Sequence, residues 1–300
     1  MAAAGGAPSI DDLSALREAL TAVTIDETSD HARELRSRLL AELEGHIMPR
    51  VSHPHAPIVV AVTGPTGGGK STLVNGLAGQ NVSPSGALRP TTRTPMLAHR
   101  PEDARWFPGE RRRVPAWAAM HTVTSVKLPP GVALMDTPDI GTAGDDVAGP
   151  THDLLASADV WLFVTTATRY ADAIPWQMLL AASGRGADLA VVLDRVQAEA
   201  AEPVKAALQQ LLQRYGLLDA ALIVVAETPL VDNRLPPAAV APVRSWLESL
   251  AAGGTRRAGV LQRAIAGAVA ALGEPLTELI RLAGGDTRLR QAAQAVGSLP

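Results

Sequence analysis

The string Gly64-Pro65-Thr66-Gly67-Gly68-Gly69-Lys70-Ser71 constrains this chain more than any other segment. It follows Ile58 to Thr63, an apolar run of strand length, and opens a helical stretch, Ser71 to Leu77, that stops near Gly79. A strand, a glycine-rich turn and a helix in that order are what the pattern G-x-x-x-x-G-K-[ST] requires. Glycines let backbone N–H groups curl around phosphate oxygens without Cβ clashes. The helix that follows points its positive end at the same place. Lys70 is expected to reach the β- and γ-phosphates, and the Ser71 hydroxyl to bind Mg²⁺. With Thr72, these residues are the candidate polyphosphate cradle.

The rest of the chain supports a fold that presents such a loop. Further apolar runs of strand length are Met96–His99, Val132–Met135, Val160–Val164, Leu189–Leu193 and Leu222–Val225. Helical patterns separate the later ones. One carries Val204, Leu208, Leu211, Leu212 and Tyr215 and ends at Gly216; another carries Val243, Trp246, Leu247 and Leu250 and ends at Gly253-Gly254. Alternation of this kind predicts an α/β fold, a three-layer domain with a mainly parallel sheet and helices on both faces. Ligands of such sheets sit at the carboxyl ends of the strands.

Helices are also expected at both ends. Ser9 and Asp12 read as a capping box ahead of Leu13, Leu16 and Leu20. A second helix is expected from Asp30, with Leu35, Leu39, Leu40, Leu43 and Ile47 on one face and Pro49 helping to end it. His53 to Pro57 reads as a linker. After Thr255, Leu261, Ile265, Val269 and Leu272 share a face, and Glu274-Pro275 restarts a short helix that reaches Leu282. The expected division is a helical segment over 1–55, the loop-bearing domain over 56–254 and a helical segment over 255–300, with the two ends packed as a bundle.

Composition narrows the function classes. The formal charge of −3 gives no reason to expect a nucleic-acid partner. There is no cysteine, so disulfides and thiolate metal sites are excluded. Residues 1–12 lack the features of a signal peptide, and the most apolar late stretch, Ala264 to Leu272, is shorter than a spanning helix. A soluble, cytoplasmic protein is expected, with peripheral membrane contact left open.

Two further motifs set the class. Arg89-Pro90-Thr91-Thr92-Arg93-Thr94-Pro95 follows the loop helix, and Val132-Ala133-Leu134-Met135-Asp136-Thr137-Pro138-Asp139-Ile140-Gly141 is an apolar strand ending in an aspartate. A carboxylate there holds Mg²⁺ directly or through water. The loop alone also resembles those of ABC and secretion ATPases. The run Lys70-Ser71-Thr72-Leu73-Val74-Asn75-Gly76-Leu77-Ala78-Gly79, however, looks like the translation-factor-related GTPases. With the other two segments, the chain resembles bacterial dynamin-like and Era-like P-loop GTPases. The resemblance implies GTP and Mg²⁺ as ligands, Ser71, Thr92 and Asp136 as metal ligands, with Thr91 the nearest competitor of Thr92, and a catalytic contribution from Lys70 and Thr92. It also implies slow hydrolysis and a homodimer through the nucleotide face.

The sequence departs from that family in four places. Asp139 stands where the family has the glycine of D-x-x-G, and Ile140 stands where many small GTPases carry a water-orienting glutamine. Asp194-Arg195-Val196-Gln197 replaces the guanine-reading Asn-Lys-x-Asp. Asp194 from a shifted position and the Arg195 stem are the candidates for the base. Val225-Ala226-Glu227 replaces Ser-Ala-Lys, leaving the Ala226 N–H for the guanine carbonyl. Guanine against adenine therefore stays open, with an ATPase and a non-hydrolysing nucleotide-binding scaffold as rivals. Arg111-Arg112-Arg113 reads as a solvated loop, and Trp106, Phe107 and Trp117 as core cover.

Overall fold

The structure is a computed structural model, and it describes residues 8–26, 29–83, 94–107, 120–138, 154–170, 176, 179–180 and 183–299. One sheet of seven strands organises it. In chain order these are β1 (Ile58–Thr63), β2 (Met96–His99), β3 (His121–Thr124), β4 (Val132–Asp136), β5 (Val160–Thr166), β6 (Asp188–Val196) and β7 (Ala221–Ala226). Their spatial order is β3-β2-β4-β1-β5-β6-β7. Every pairing is parallel except β2 with β4.

Both faces of the sheet are covered, which is why the central strands read as apolar throughout rather than alternating. Val59, Ala61, Met135, Phe163 and Val191 point to one face, where Leu208 and Leu212 of a helix over Ala201–Arg214 cover them. Ile58, Val60, Val62, Leu134 and Leu162 point to the other, against Leu73, Val74 and Leu77 of the loop helix and Val240, Val243 and Leu247 of a helix over Pro237–Ala251. The fold is the expected three-layer α/β arrangement.

Among the described residues, the helices that matter below, numbered in chain order, are α1 (Ile10–Ala22), α2 (Asp30–Glu42), α3 (Met48–Ser52), α4 (Lys70–Ala78), α5 (Ala201–Arg214), α6 (Pro237–Ala251), α7 (Gly254–Ala271), α8 (Gly273–Leu282) and α9 (Thr287–Ala295). The helices from the two ends share a third core: Leu13, Leu16, Leu20, Leu39 and Leu43 meet Ile265, Val269, Leu276, Leu279 and Leu289. The capping box at Ser9 and Asp12 starts α1 as expected. α7 joins two cores, with Val260 and Leu261 packed on the sheet and Ile265, Ala268 and Val269 in the helical cluster. Among the described residues no helix is long and apolar enough to cross a membrane.

Three features differ from the sequence reading. Pro49 does not end its helix. A π-helical step over Leu43–Ile47, in which Met48 N–H reaches back to Leu43 O, resets the hydrogen bonding, and the path continues as α3 to Ser52 with Pro49 in its first turn. A proline's missing N–H is tolerated in a first turn. β3 was not expected, because an exposed edge strand such as His121-Thr122-Val123-Thr124 contains no apolar run. α9 is a further addition, capped by the Asp286 carboxylate on Leu289 N–H at 2.8 Å.

A buried ion pair fixes the helices to the base of the sheet. Arg50, only 1% exposed, donates to Pro57 O at 2.9 Å and to Asp159 Oδ2. The same oxygen accepts from Val59 N–H of β1 at 2.7 Å. His46 Nε2, on the π-helical step, lies 3.8 Å from Asp159 Oδ1.

Candidate functional site

The site lies where β1, β4 and β5 end together. β1 runs in parallel register with β4 through Val62 and Asp136, and with β5 through Thr63 and Phe163. From Thr63 the chain enters the loop and then α4. Gly64 is held at φ +140°, and a Cβ there would come within 2.1 Å of Val164 O, so the β5 backbone leaves room for no side chain.

Cationic side chains tie down the outer edge of the loop. Lys70 is buried and its Nζ donates to Gly64 O at 2.9 Å and Pro65 O at 3.1 Å. Arg169 Nη1 donates to Thr66 O at 2.8 Å. Arg195 Nη2 donates to Gly67 O. Carbonyls of Gly64 through Gly67 thus each accept a charge-assisted hydrogen bond, a strong class of bond. In a trans peptide C=O and N–H point opposite ways, so anchoring the Pro65 and Thr66 carbonyls also orients the Thr66 and Gly67 N–H groups that a polyphosphate would use.

The strand-end carboxylate reaches the same place. Ser71 Oγ donates to Asp136 Oδ2 at 2.8 Å, joining the start of α4 to the end of β4. Asp136 is 1% exposed. Thr137 completes the turn, its N–H and Oγ both directed at Val62 O, at 3.3 and 3.1 Å. A hydroxyl and a carboxylate are hard oxygen donors, and Mg²⁺ takes one or two such protein ligands with phosphate and water. The donor set fits that ion.

Two residues at the site, Ser83 and Arg169, carry no motif signal of their own, and a third, Asn75, gains a role that its motif does not announce. Ser83 Oγ donates to the same Asp136 oxygen. Asn75, wholly buried on α4, holds Ser83 in place: its Oδ1 accepts from Val82 N–H at 2.9 Å and Ser83 N–H at 2.8 Å, and its Nδ2 donates to Ser83 O at 2.8 Å. Arg169 clamps Thr66 from the turn after β5. Asn75 belongs to the Lys70–Gly79 run that carries the family resemblance, but its hold on Ser83 is not visible in that run.

The last strands bring the base-reading candidates to this edge. Asp194 pairs in register with Thr166 of β5, and Val196 with Ala226 of β7. A register shift lies between Leu193 and Val196, and Arg195 within it adopts a left-handed φ of +55°. Ala226 is exposed at the end of β7, and its carbonyl accepts from Thr228 Oγ1 at 2.9 Å. Asp194 is 3% exposed and faces the loop, where a Cβ on Gly69 would come within 2.1 Å of its Oδ2. Burial pushes the Asp194 carboxyl up to about 6 against the opposing pull of Arg195. Thr91, Thr92, Asp139, Ile140, Arg111-Arg112-Arg113 and Trp117 lie outside the described residues.

No curated protein matches the chain. Among solved structures, one of an oligomerised bacterial dynamin pair shares 14% identity over 96% of this chain, with a TM-score of 0.49. This chain spans 48% of its length. Era from Aquifex aeolicus bound to GDP·AlF4⁻ shares 22% identity over 55% of this chain and 50% of that one, with a TM-score of 0.38. Toc33 from Arabidopsis thaliana, in complex with Mg²⁺ and GMPPNP, shares 14% identity over 74% of this chain and 92% of that one, with a TM-score of 0.40. A family model described as 50S ribosome-binding GTPase matches residues 59–226, more than half of the chain, from β1 through the loop and Asp136 to the end of β7. The chain belongs to this family of P-loop GTPases.

Proposed function

We propose that this chain is a Mg²⁺-dependent GTP-binding switch with slow hydrolysis. The observation that carries the reading is the Ser71–Asp136 hydrogen bond beside the buried Lys70 ammonium. It unites a phosphate cradle, a metal-ligand pair and a cation at the lip of a parallel sheet.

In this reading the residues from Gly64 to Thr72, Pro65 excepted, wrap the phosphates with N–H groups. Lys70 turns from its loop carbonyls to the phosphate oxygens. Ser71 and Asp136, with Thr92, hold Mg²⁺, which supplies charge neutralisation when bound. Lys70 and the loop amides stabilise charge on the transferred phosphoryl group. Hydrolysis is slow because Ile140 cannot orient a water, and a second copy across the nucleotide face would add the missing stabilisation. Arg195 and the Ala226 N–H face the base. Residues 56–254 hold the nucleotide, residues 1–55 and 255–300 form one helical unit, and the protein works in the cytoplasm.

A second reading, a nucleotide-binding protein with weak guanine preference, is favoured by one observation. Asp194, the one acidic residue of Asp194–Gln197, is buried against Gly69. Competition of unlabelled GTP and ATP against a fluorescent GTP analogue separates the two readings. Phosphate release no faster than in a Lys70→Ala control would remove the hydrolytic part and leave a nucleotide-stabilised scaffold.

A further inference from the structure

Asp194 occupies an unusual place for an acidic residue. Its Oδ2 fills the space over Gly69 that the missing Cβ leaves, so a carboxylate rests directly on the loop. Its Oδ1 is buried and has no hydrogen-bond partner among the described residues. The charged groups around it are committed elsewhere or distant. Arg195 Nε, on its own strand, is 3.7 Å from Oδ2, beyond hydrogen-bond reach, and Arg195 Nη2 serves Gly67 O. Lys70, from α4, donates to Gly64 O and Pro65 O, and Arg169, from the turn after β5, donates to Thr66 O. Glu227, just past β7, is exposed.

A carboxylate in this position conflicts with the ligand. Two like charges brought close in a partly desolvated site repel far more strongly than in water. A polyphosphate settling into the loop would meet a buried negative charge at Gly69. Neutralising the carboxyl with a proton removes that conflict.

We propose that Asp194 is a charge gate on the phosphate loop rather than a reader of the base: a polyphosphate enters together with one proton from solvent, held on the Asp194 carboxyl. This rests on the loop binding a nucleoside triphosphate. The direction follows from linkage. Burial already lifts this carboxyl to about 6, and a bound anion lifts it further. Affinity is full below the free-state value and falls by up to about tenfold per pH unit above it, since one proton is taken up on binding. The gate acts on the phosphates, so it is indifferent to the base.

The test is a titration of a fluorescent GTP analogue with Mg²⁺ at pH 5.5 to 8.5, for the full chain and for Asp194→Asn. ATP and inorganic tripolyphosphate serve as competitors. Asp194→Asn, which keeps the shape and removes the charge, is expected to flatten the pH dependence. It should raise affinity at the alkaline end by about tenfold or more, for all three ligands alike. Asp194→Ser gives the same result should Asn disturb folding, with thermal melting confirming that each variant is native. Parallel pH slopes in wild type and variants would overturn the gate. So would a loss confined to the guanine nucleotide, which would return Asp194 to base reading. Wild type that binds no ligand at any pH would instead sink the nucleotide-binding reading, and the gate with it.

Discussion

Ser71 Oγ and Asp136 Oδ2 stand 2.8 Å apart although 65 positions separate them in sequence. β4 lies beside β1 in parallel register, so the residue that ends β4 arrives next to the second residue of α4. On the proposed reading that the two share one Mg²⁺, Ser71→Ala and Asp136→Asn are each expected to weaken Mg²⁺-dependent GTP affinity by about 10- to 100-fold or more. Their effects should not add in the double variant. Affinity measured in excess EDTA should change much less. Equal losses with and without Mg²⁺ would show that the pair acts only on the loop's structure.

The loop glycines yield a second expectation. Gly69 has φ +101°, and a Cβ there would come within 2.1 Å of Asp194 Oδ2. Gly69→Ala should therefore cost both backbone strain, about 1–3 kcal/mol, and displacement of a buried carboxylate. Adding Asp194→Ala should recover the second part and leave the first. Chemical denaturation of the two variants reads this directly, and identical midpoints for single and double would mean that the carboxylate moves aside freely.

How much of this was legible in the sequence follows from how local each feature is. The strand, loop and helix over Ile58–Ala78 depend on neighbours in sequence, and they stand where the pattern placed them. The apolar strands were visible because burial on both faces removes polar residues from them. β3 was hidden because an edge strand has no such requirement, and the π-helical step at Leu43–Ile47 has no compositional signature. The contacts of Ser83 with Asp136 and of Asp194 with Gly69 join residues far apart in the chain, and no spacing rule announces them. Thr92 falls outside the described residues, so its expected place on the metal has no structural counterpart here.

The base of the sheet supports a stability prediction. Arg50 and Asp159 form a buried pair that also holds Pro57 O and Val59 N–H. Removing one partner strands the other charge, so Arg50→Ala or Asp159→Ala should cost about 3–5 kcal/mol. Replacing both with apolar residues of similar volume should cost less than either single change. Urea denaturation of the three variants checks the ordering, and a double variant as unstable as the sum of the singles would contradict it.

His46 beside that pair adds a pH signature. Burial opposes its charge, but the carboxylates of Asp159 and Glu42 outweigh burial and raise its pKa above 6.5. A raised histidine contributes stability that is fully present below the unfolded value and is lost as pH rises through the folded one. Asp159 acts at the other end. Burial would raise its pKa, but Arg50 and His46 overcome that and hold it below 3.8, so its contribution is present above that value and lost as pH falls through the folded one. Wild type should accordingly lose stability as pH rises above 6.5, and His46→Gln should be less stable near pH 6 and show a shallower decline above it. Thermal melts between pH 6 and 9 decide it, and parallel curves for the two proteins would mean that His46 stays neutral in the fold.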